Sequence, residues 1–108
     1  MNSNQFNKSI EEALDSIKTR IFSKNQEYAQ VSDVFSNFKT GISLQDTPQA
    51  VAWEYMTKHM QWLKDNIKNN QNPTDSQIDE KIIDIINYLL IIRGMYQEKN
   101  STEENNLP

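Results

Sequence analysis

The stretch from Glu80 to Tyr96, EKIIDIINYLLIIRGMY, constrains this chain more than any other feature. Ile82, Ile83, Ile85, Ile86, Leu89, Leu90, Ile91 and Ile92 point in nearly every direction around a helix, and a helix apolar all round is a central one. Set into it are Glu80, Asp84 and Asn87, at spacings of four and three, which places them on one stripe. Carboxylates are almost never buried without a partner, because desolvating a charge is costly. The stripe therefore calls for a cation, a buried donor or a metal.

The rest of the chain is read around that helix. Only two glycines and three prolines punctuate 108 residues, which favours long uninterrupted helices over many-turned sheets. A first helix is expected from Ser9 to Glu27, opened by a Ser9–Glu12 capping box and carrying Ile10, Ala13, Leu14, Ile17 and Ile21 at helical period. A second runs from Thr47 to Lys68, with Thr47 as N-cap and Pro48 in the first helical position. Its apolar face is Val51, Ala52, Tyr55, Met56, His59, Trp62, Leu63 and Ile67. The third starts near Asn72-Pro73-Thr74-Asp75 and extends to about Lys99. The short polar link from Asn69 to Asn72 makes the second and third helices antiparallel neighbours. The long connection from Tyr28 to Asp46 is expected to be functional or to carry a short helix of its own. The expected architecture is all-α: a single helical domain over residues 1–100, built as a bundle of three long helices with a long ordered connection between the first two. Residues 101–108 read as a disordered tail.

Charge and cysteine usage exclude several classes. A net charge of −4 argues against binding a nucleic-acid backbone, which asks for a basic patch. With no cysteine there is no disulfide and no thiolate zinc site. The N-terminus MNSNQFNKSIEE lacks the apolar core of a signal peptide, and Asp84 and Asn87 interrupt an apolar run too short to span a bilayer. A cytoplasmic protein without a membrane partner is expected. The third helix is apolar on more faces than a small bundle covers, which predicts a homo-oligomer, a homodimer above all, with Ile83 and Leu90 near the contact.

Four features carry possible chemistry. Glu80 and Asp84, one turn apart, can share a divalent cation; Mg2+ suits oxygen ligands that leave room for waters and phosphates. The alternative is an exposed Glu80 and an Asp84 satisfied by a Lys, Arg or Tyr. His59, the only histidine, lies mid-face on the second helix, where antiparallel packing could bring it near Asp84 or Asn87. A His–carboxylate pair serves as a general base or as a purely structural contact. In the connection, Tyr28, Asp33, Phe35, Asn37 and Phe38 could hold a planar base by stacking and hydrogen bonding, or close the end of the bundle. Glu54 and Lys58 have the spacing of a surface ion pair, with Lys58 nearer the boundary and able to reach a phosphate.

Taken in order, K-N-Q-E-Y-A, D-V-F-S-N-F, Y-M-T-K-H-M and D-E-K-I-I-D-I-I-N-Y-L-L form a combination more specific than any one piece. It resembles the nucleotide-modification-associated domain of small phage and prophage proteins, with its Tyr-rich loop, its Lys-His pair and its Glu-Lys-x-x-Asp-x-x-Asn-Tyr helix. That domain is distantly similar to the all-α MazG and dimeric-dUTPase type of nucleotide pyrophosphohydrolase. The resemblance covers about Lys24 to Tyr96. It implies a nucleotide-related site, with Glu80 and Asp84 holding Mg2+ and with Lys58 and His59 serving phosphates or a proton. Tyr28, Asp33, Asn37, Phe38 and Asn87 would then contact the nucleotide. The chain also departs from the pattern. The pyrophosphohydrolases hold Mg2+ with Glu-x-x-Glu and Glu-x-x-Asp. Here Glu80 and Asp84 carry one extra residue between them, and the first pair is missing, since Glu54 is followed by Thr57 and Lys58. Asp33 or Glu27 would have to complete the shell. The second reading is therefore a non-catalytic phage protein that engages a host or phage protein through its helical surface, with Trp53, Met60 and Tyr96 as anchors.

Overall fold

The computed structural model describes residues 1–26, 33–40 and 47–105. It is all-α: four helices and, among the described residues, no strand. These are α1 (Ser3–Gln26), α2 (Ser36–Thr40), α3 (Pro48–Lys68) and α4 (Asp75–Asn105). The chain divides into two compact units, Met1–Val34 and Phe35–Pro108.

The first unit is carried by α1. It begins at Ser3 rather than Ser9, because Asn2 and Gln5 make the capping box instead of Ser9 and Glu12. The Gln5 N–H donates to Asn2 Oδ1 at 2.9 Å, and the Asn2 N–H donates to Gln5 Oε1 at 2.8 Å. Phe6, one turn before Ile10, extends the apolar stripe toward the terminus. Phe6 and Leu14 are nonetheless exposed, and Ile21 is the buried residue of this helix.

In the second unit each helix end has a local cause. Thr47 caps α3, its hydroxyl accepting from the Ala50 N–H at 3.2 Å, and Pro48 follows where no N–H is needed. The exit of α3 is a Schellman motif. Gln71 N–H donates to Asn66 O at 2.9 Å, Asn70 N–H donates to Ile67 O at 3.2 Å, and Asn70 takes φ 52°. Asn70 stands where glycine is usual; asparagine tolerates the left-handed region better than other side chains. Two residues after Asn72, Thr74 and Gln77 form a second reciprocal capping box that opens α4. α4 continues past Lys99 to Asn105, because Ser101 to Asn105 contain no breaker and the next proline is Pro108. Residues 101–105 are thus helical; 106–108 lie outside the described residues.

α3 and α4 run antiparallel, as the short link requires: Tyr55 meets Tyr88, His59 meets Asp84, and Trp62 meets Lys81. The core lies toward the N-terminal half of α3, where Phe38, Val51, Ala52 and Met95 are buried together and Phe35, Tyr88, Ile91 and Ile92 pack on them. α2 is the short helix expected inside the long connection, and it delivers Phe38 to this core. Lys39 and Glu98 tie it to α4 with a 3.0 Å ion pair, exposed and therefore worth little.

The apolar faces drawn from periodicity are only partly covered. Ile83 is buried within the second unit, not placed at an outer contact, whereas Leu89 and Leu90 are exposed. Ile67, assigned to the apolar face of α3, is 72% exposed. It sits in the last turn before the Schellman exit and lines a shallow apolar cleft with Met60, Leu63 and Ile85.

Gly94 costs α4 roughly 1 kcal/mol of helix propensity relative to alanine. Its reason is Phe35. A Cβ at Gly94 would stand 2.8 Å from Phe35 Cζ, so the glycine lets the ring lie on the helix backbone. Gly94→Leu should destabilise the protein by about 1–3 kcal/mol through overpacking. Chemical denaturation measures it, and an unchanged midpoint would remove Phe35 from the packing of α4.

Candidate functional site

The site is built from two helical stripes facing each other. On α3, Tyr55, His59 and Trp62 follow at spacings of four and three; on α4, Lys81, Asp84 and Tyr88 follow at three and four. Antiparallel packing sets these stripes in register. The His59 side chain is 24% exposed and that of Asp84 is 15% exposed, so both groups lie in the seam rather than in bulk solvent.

His59 Nδ1 is the centre of the arrangement. Asp84 Oδ2 lies 3.6 Å from it and Lys81 Nζ lies 3.5 Å from it. Both separations exceed those of a well-formed hydrogen bond. They are close electrostatic approaches, and the two partners ask opposite things of one nitrogen. With a lone pair at Nδ1 the ring can accept from the Lys81 ammonium. With a proton there it can donate toward the Asp84 carboxylate. The Lys81 ammonium also stands 5.5 Å from the Trp62 ring centroid, a cation–π contact that holds it over the seam.

An aromatic group adjoins the polar one. The Tyr88 ring lies 5.6 Å from the imidazole, and Tyr55 lies 6.3 Å from Tyr88. Phe38 meets both tyrosines edge-on, at 6.1 and 6.3 Å. Lys58 lies over the Tyr55 ring at 5.7 Å. The expected Glu54–Lys58 ion pair is not formed among the described residues; the Lys58 stem turns to the aromatic face instead, where the cation gains the ring quadrupole.

The other expected site residues are placed less closely. Glu80 is exposed on α4, one turn before Asp84, and Asn87 is half-buried one turn after it. Asn37 is exposed on α2. Asp33 belongs to the first unit, where it is half-buried. Tyr28 and Glu27 lie outside the described residues. Among the described residues, no three of the His, Cys, Asp and Glu side chains converge as metal ligands. Glu80 and Asp84 would then offer only carboxylate oxygens and few of them. A Mg2+ ion there would have to take most of its shell from waters and phosphate.

Lys81 and Trp62 are the parts of this cluster that sequence reasoning did not assign to the site. The signal for Lys81 was its place three residues before Asp84, legible once α3 and α4 are known to be antiparallel. Three shallow clefts on the second unit lie off the cluster. One is apolar, between Met60, Leu63, Ile67 and Ile85. Another runs past Trp53 and Tyr96, and the third lies between Phe35, Pro48 and Met95. The polar seam is favoured as the site on chemistry, because among the described residues an acid, a base and a cation meet there. No helix among the described residues is long and apolar enough to cross a membrane.

Compared with known proteins, the chain matches no family model, no curated protein and no solved structure.

Proposed function

We propose that this chain is a phage or prophage accessory protein whose α3–α4 seam takes a nucleotide or another small phosphorylated ligand, in the manner of a Mg2+-dependent nucleotide pyrophosphohydrolase. The observation that carries the reading is the meeting of His59, Asp84 and Lys81 beside the rings of Tyr55, Tyr88 and Phe38. Aromatic faces suit a planar base, and lysines suit its phosphates. Glu80 and Asp84 hold the ion in this reading. When bound, Mg2+ would polarise a phosphoryl oxygen and orient a water. His59 takes or returns a proton, with Asp84 orienting the ring, and Lys58 reaches the phosphates from the rim. Asn87, Asn37 and Phe38 stand as contacts to the nucleotide. The proposal includes a cytoplasmic protein, associated with further copies through the exposed apolar part of α4 around Leu89 and Leu90.

A second reading has its own observation. Trp53 and Tyr96 are both about half exposed, at 52% and 51%, and line one cleft. Exposed aromatic anchors suit a protein partner. The missing first acidic pair favours this non-catalytic binding module.

A thermal-shift panel of ribo- and deoxynucleotides, each with and without Mg2+, separates the two. Saturation at a hundred times Kd should stabilise the folded state by about 2.7 kcal/mol. The expected result is a rise in Tm with at least one nucleotide that depends on Mg2+. A flat panel would leave the Trp53–Tyr96 surface as the better lead.

A further inference from the structure

We propose that α4 carries a second helix–helix seam and that a second copy of this chain covers it, α4 packing antiparallel on the partner's α4. This rests on the self-association in the reading above and deepens it: the general patch around Leu89 and Leu90 becomes one stripe that holds Leu89 and leaves Leu90 outside. It does not depend on a nucleotide or on Mg2+.

α4 is apolar on more sides than α3 covers. Asp84, Tyr88 and Met95 are turned to α3, where they meet His59, Tyr55 and the core. A different stripe, Ile78, Ile82, Ile85, Leu89, Ile92 and Tyr96, repeats at spacings of four and three without interruption. That is the repeat of helices packed side by side in coiled coils and bundles. It runs for about 27 Å at 1.5 Å per residue. Ile78, Ile85 and Ile92 are half-buried, whereas Ile82, Leu89 and Tyr96 are 38%, 48% and 51% exposed, and Trp53 of α3 lines one cleft with Tyr96. A large side chain left half exposed bares on the order of 100 Å². The stripe with Trp53 therefore offers much of the roughly 800 Å² that each partner gives to an interface of standard size.

Self-complementarity names the occupant. On one flank of the stripe, Lys81, Tyr88 and Met95 adjoin α3. On the other stand Asp79, Ile86 and Arg93, at spacings of seven. With α3 along the first flank, a second copy meets the free flank with its own free flank, and that requires the two helices to run antiparallel. Reversed about the middle of the helix, near Ile86 and Asn87, each layer finds an apolar counterpart: Ile82 meets the partner's Ile92, Leu89 the partner's Ile85, and Ile78 the partner's Tyr96. The same reversal sets Asp79 opposite the partner's Arg93, and the two-fold axis makes that pair twice. Both side chains are exposed. Within one chain they stand about 21 Å apart along the helix, too far to act on each other through physiological salt. Trp53 and Tyr96 then meet a second copy rather than an unrelated protein.

The test reads the dimer constant of the full chain by sedimentation velocity over a dilution series, with circular dichroism to check that each variant folds. The unaltered chain should be a dimer at micromolar concentration. Leu89→Asp puts a carboxylate into a central layer and should weaken the dimer by at least about a hundredfold, since the charge has no partner there. Asp79→Arg and Arg93→Asp each set like charges across the two-fold axis twice, and each should weaken it by about tenfold or more at low salt. The double variant, Asp79→Arg with Arg93→Asp, reverses both pairs and should restore the dimer to within about threefold of the unaltered chain. The double variant is the decisive one, because only contact between copies lets one substitution rescue the other. A dimer that neither single charge variant weakens, or that the double variant fails to rescue, would overturn the antiparallel seam and leave self-association standing. A dimer untouched by Leu89→Asp would do the same. A chain that is monomeric at every concentration would overturn both the seam and the self-association, and leave the nucleotide part of the reading to its own thermal-shift panel.

Discussion

Met56→Ala should destabilise the second unit by about 3 kcal/mol, from the usual range of roughly 2–5 kcal/mol for truncating a buried methionine. Met56 is 1% exposed and is the largest fully buried side chain of the described chain. It lies one turn after Ala52, which has no exposure at all, so neither neighbour can relax far into the space left behind. In a domain of this size the corresponding fall in Tm is roughly 10–20 °C. Ile67→Ala, on the same helix and likewise deleting three side-chain heavy atoms, is the control. At 72% exposure it should move stability by no more than about 0.5 kcal/mol. Equal losses from the two substitutions, growing as the protein is diluted, would mean that a second copy covers the end of α3. Equal losses without concentration dependence would contradict the burial pattern itself.

That contrast also shows where sequence reading stops. Periodicity put Met56 and Ile67 on one apolar face, and both do lie on one side of α3. Period gives direction, not coverage, and coverage depends on which side chains the neighbouring helices place against each turn. The helix type, the N-cap of α3 and the antiparallel link were legible because each has a local cause: Thr47, Pro48 and the polar turn at Asn69–Asn72. The start of α1 was missed for a local reason too, since an Asn–Gln capping box is a less familiar signal than Ser–Glu. α4 runs past the expected boundary at Lys99 because polarity alone does not end a helix, and Thr102 turns its hydroxyl back to the Glu98 carbonyl at 3.0 Å. At the site, His59 and Asp84 were legible as a pair from face and register. Lys81 was not, because a lysine in a helix is by default a solvated one, and only the Trp62 and His59 contacts reveal that this one is held.

Asp84→Asn is the substitution on which function and architecture meet. A purely functional carboxylate predicts lost ligand binding with equal or higher stability, because buried charge at such sites opposes folding. A purely structural one predicts a loss of about 1–3 kcal/mol and nothing else. On the function proposed above Asp84 would be both: it approaches His59 Nδ1 at 3.6 Å, and that nitrogen is also approached by the Lys81 ammonium. Asparagine keeps the shape and an acceptor oxygen but removes the negative charge beside His59. The expected result is a loss of about 1 kcal/mol, near the lower end of that range, because the amide still accepts a hydrogen bond. The Mg2+-dependent nucleotide shift should disappear or weaken by at least roughly tenfold. The stability term is isolated by the double variant Asp84→Asn with Lys81→Met. If the ammonium and the carboxylate act on each other, the two losses should fall short of additivity by about 1 kcal/mol, the range expected for neighbouring charged groups. Strict additivity would separate the two residues. A higher Tm for Asp84→Asn alone, together with a lost nucleotide response, would leave Asp84 as a ligand-binding group that the fold tolerates rather than uses.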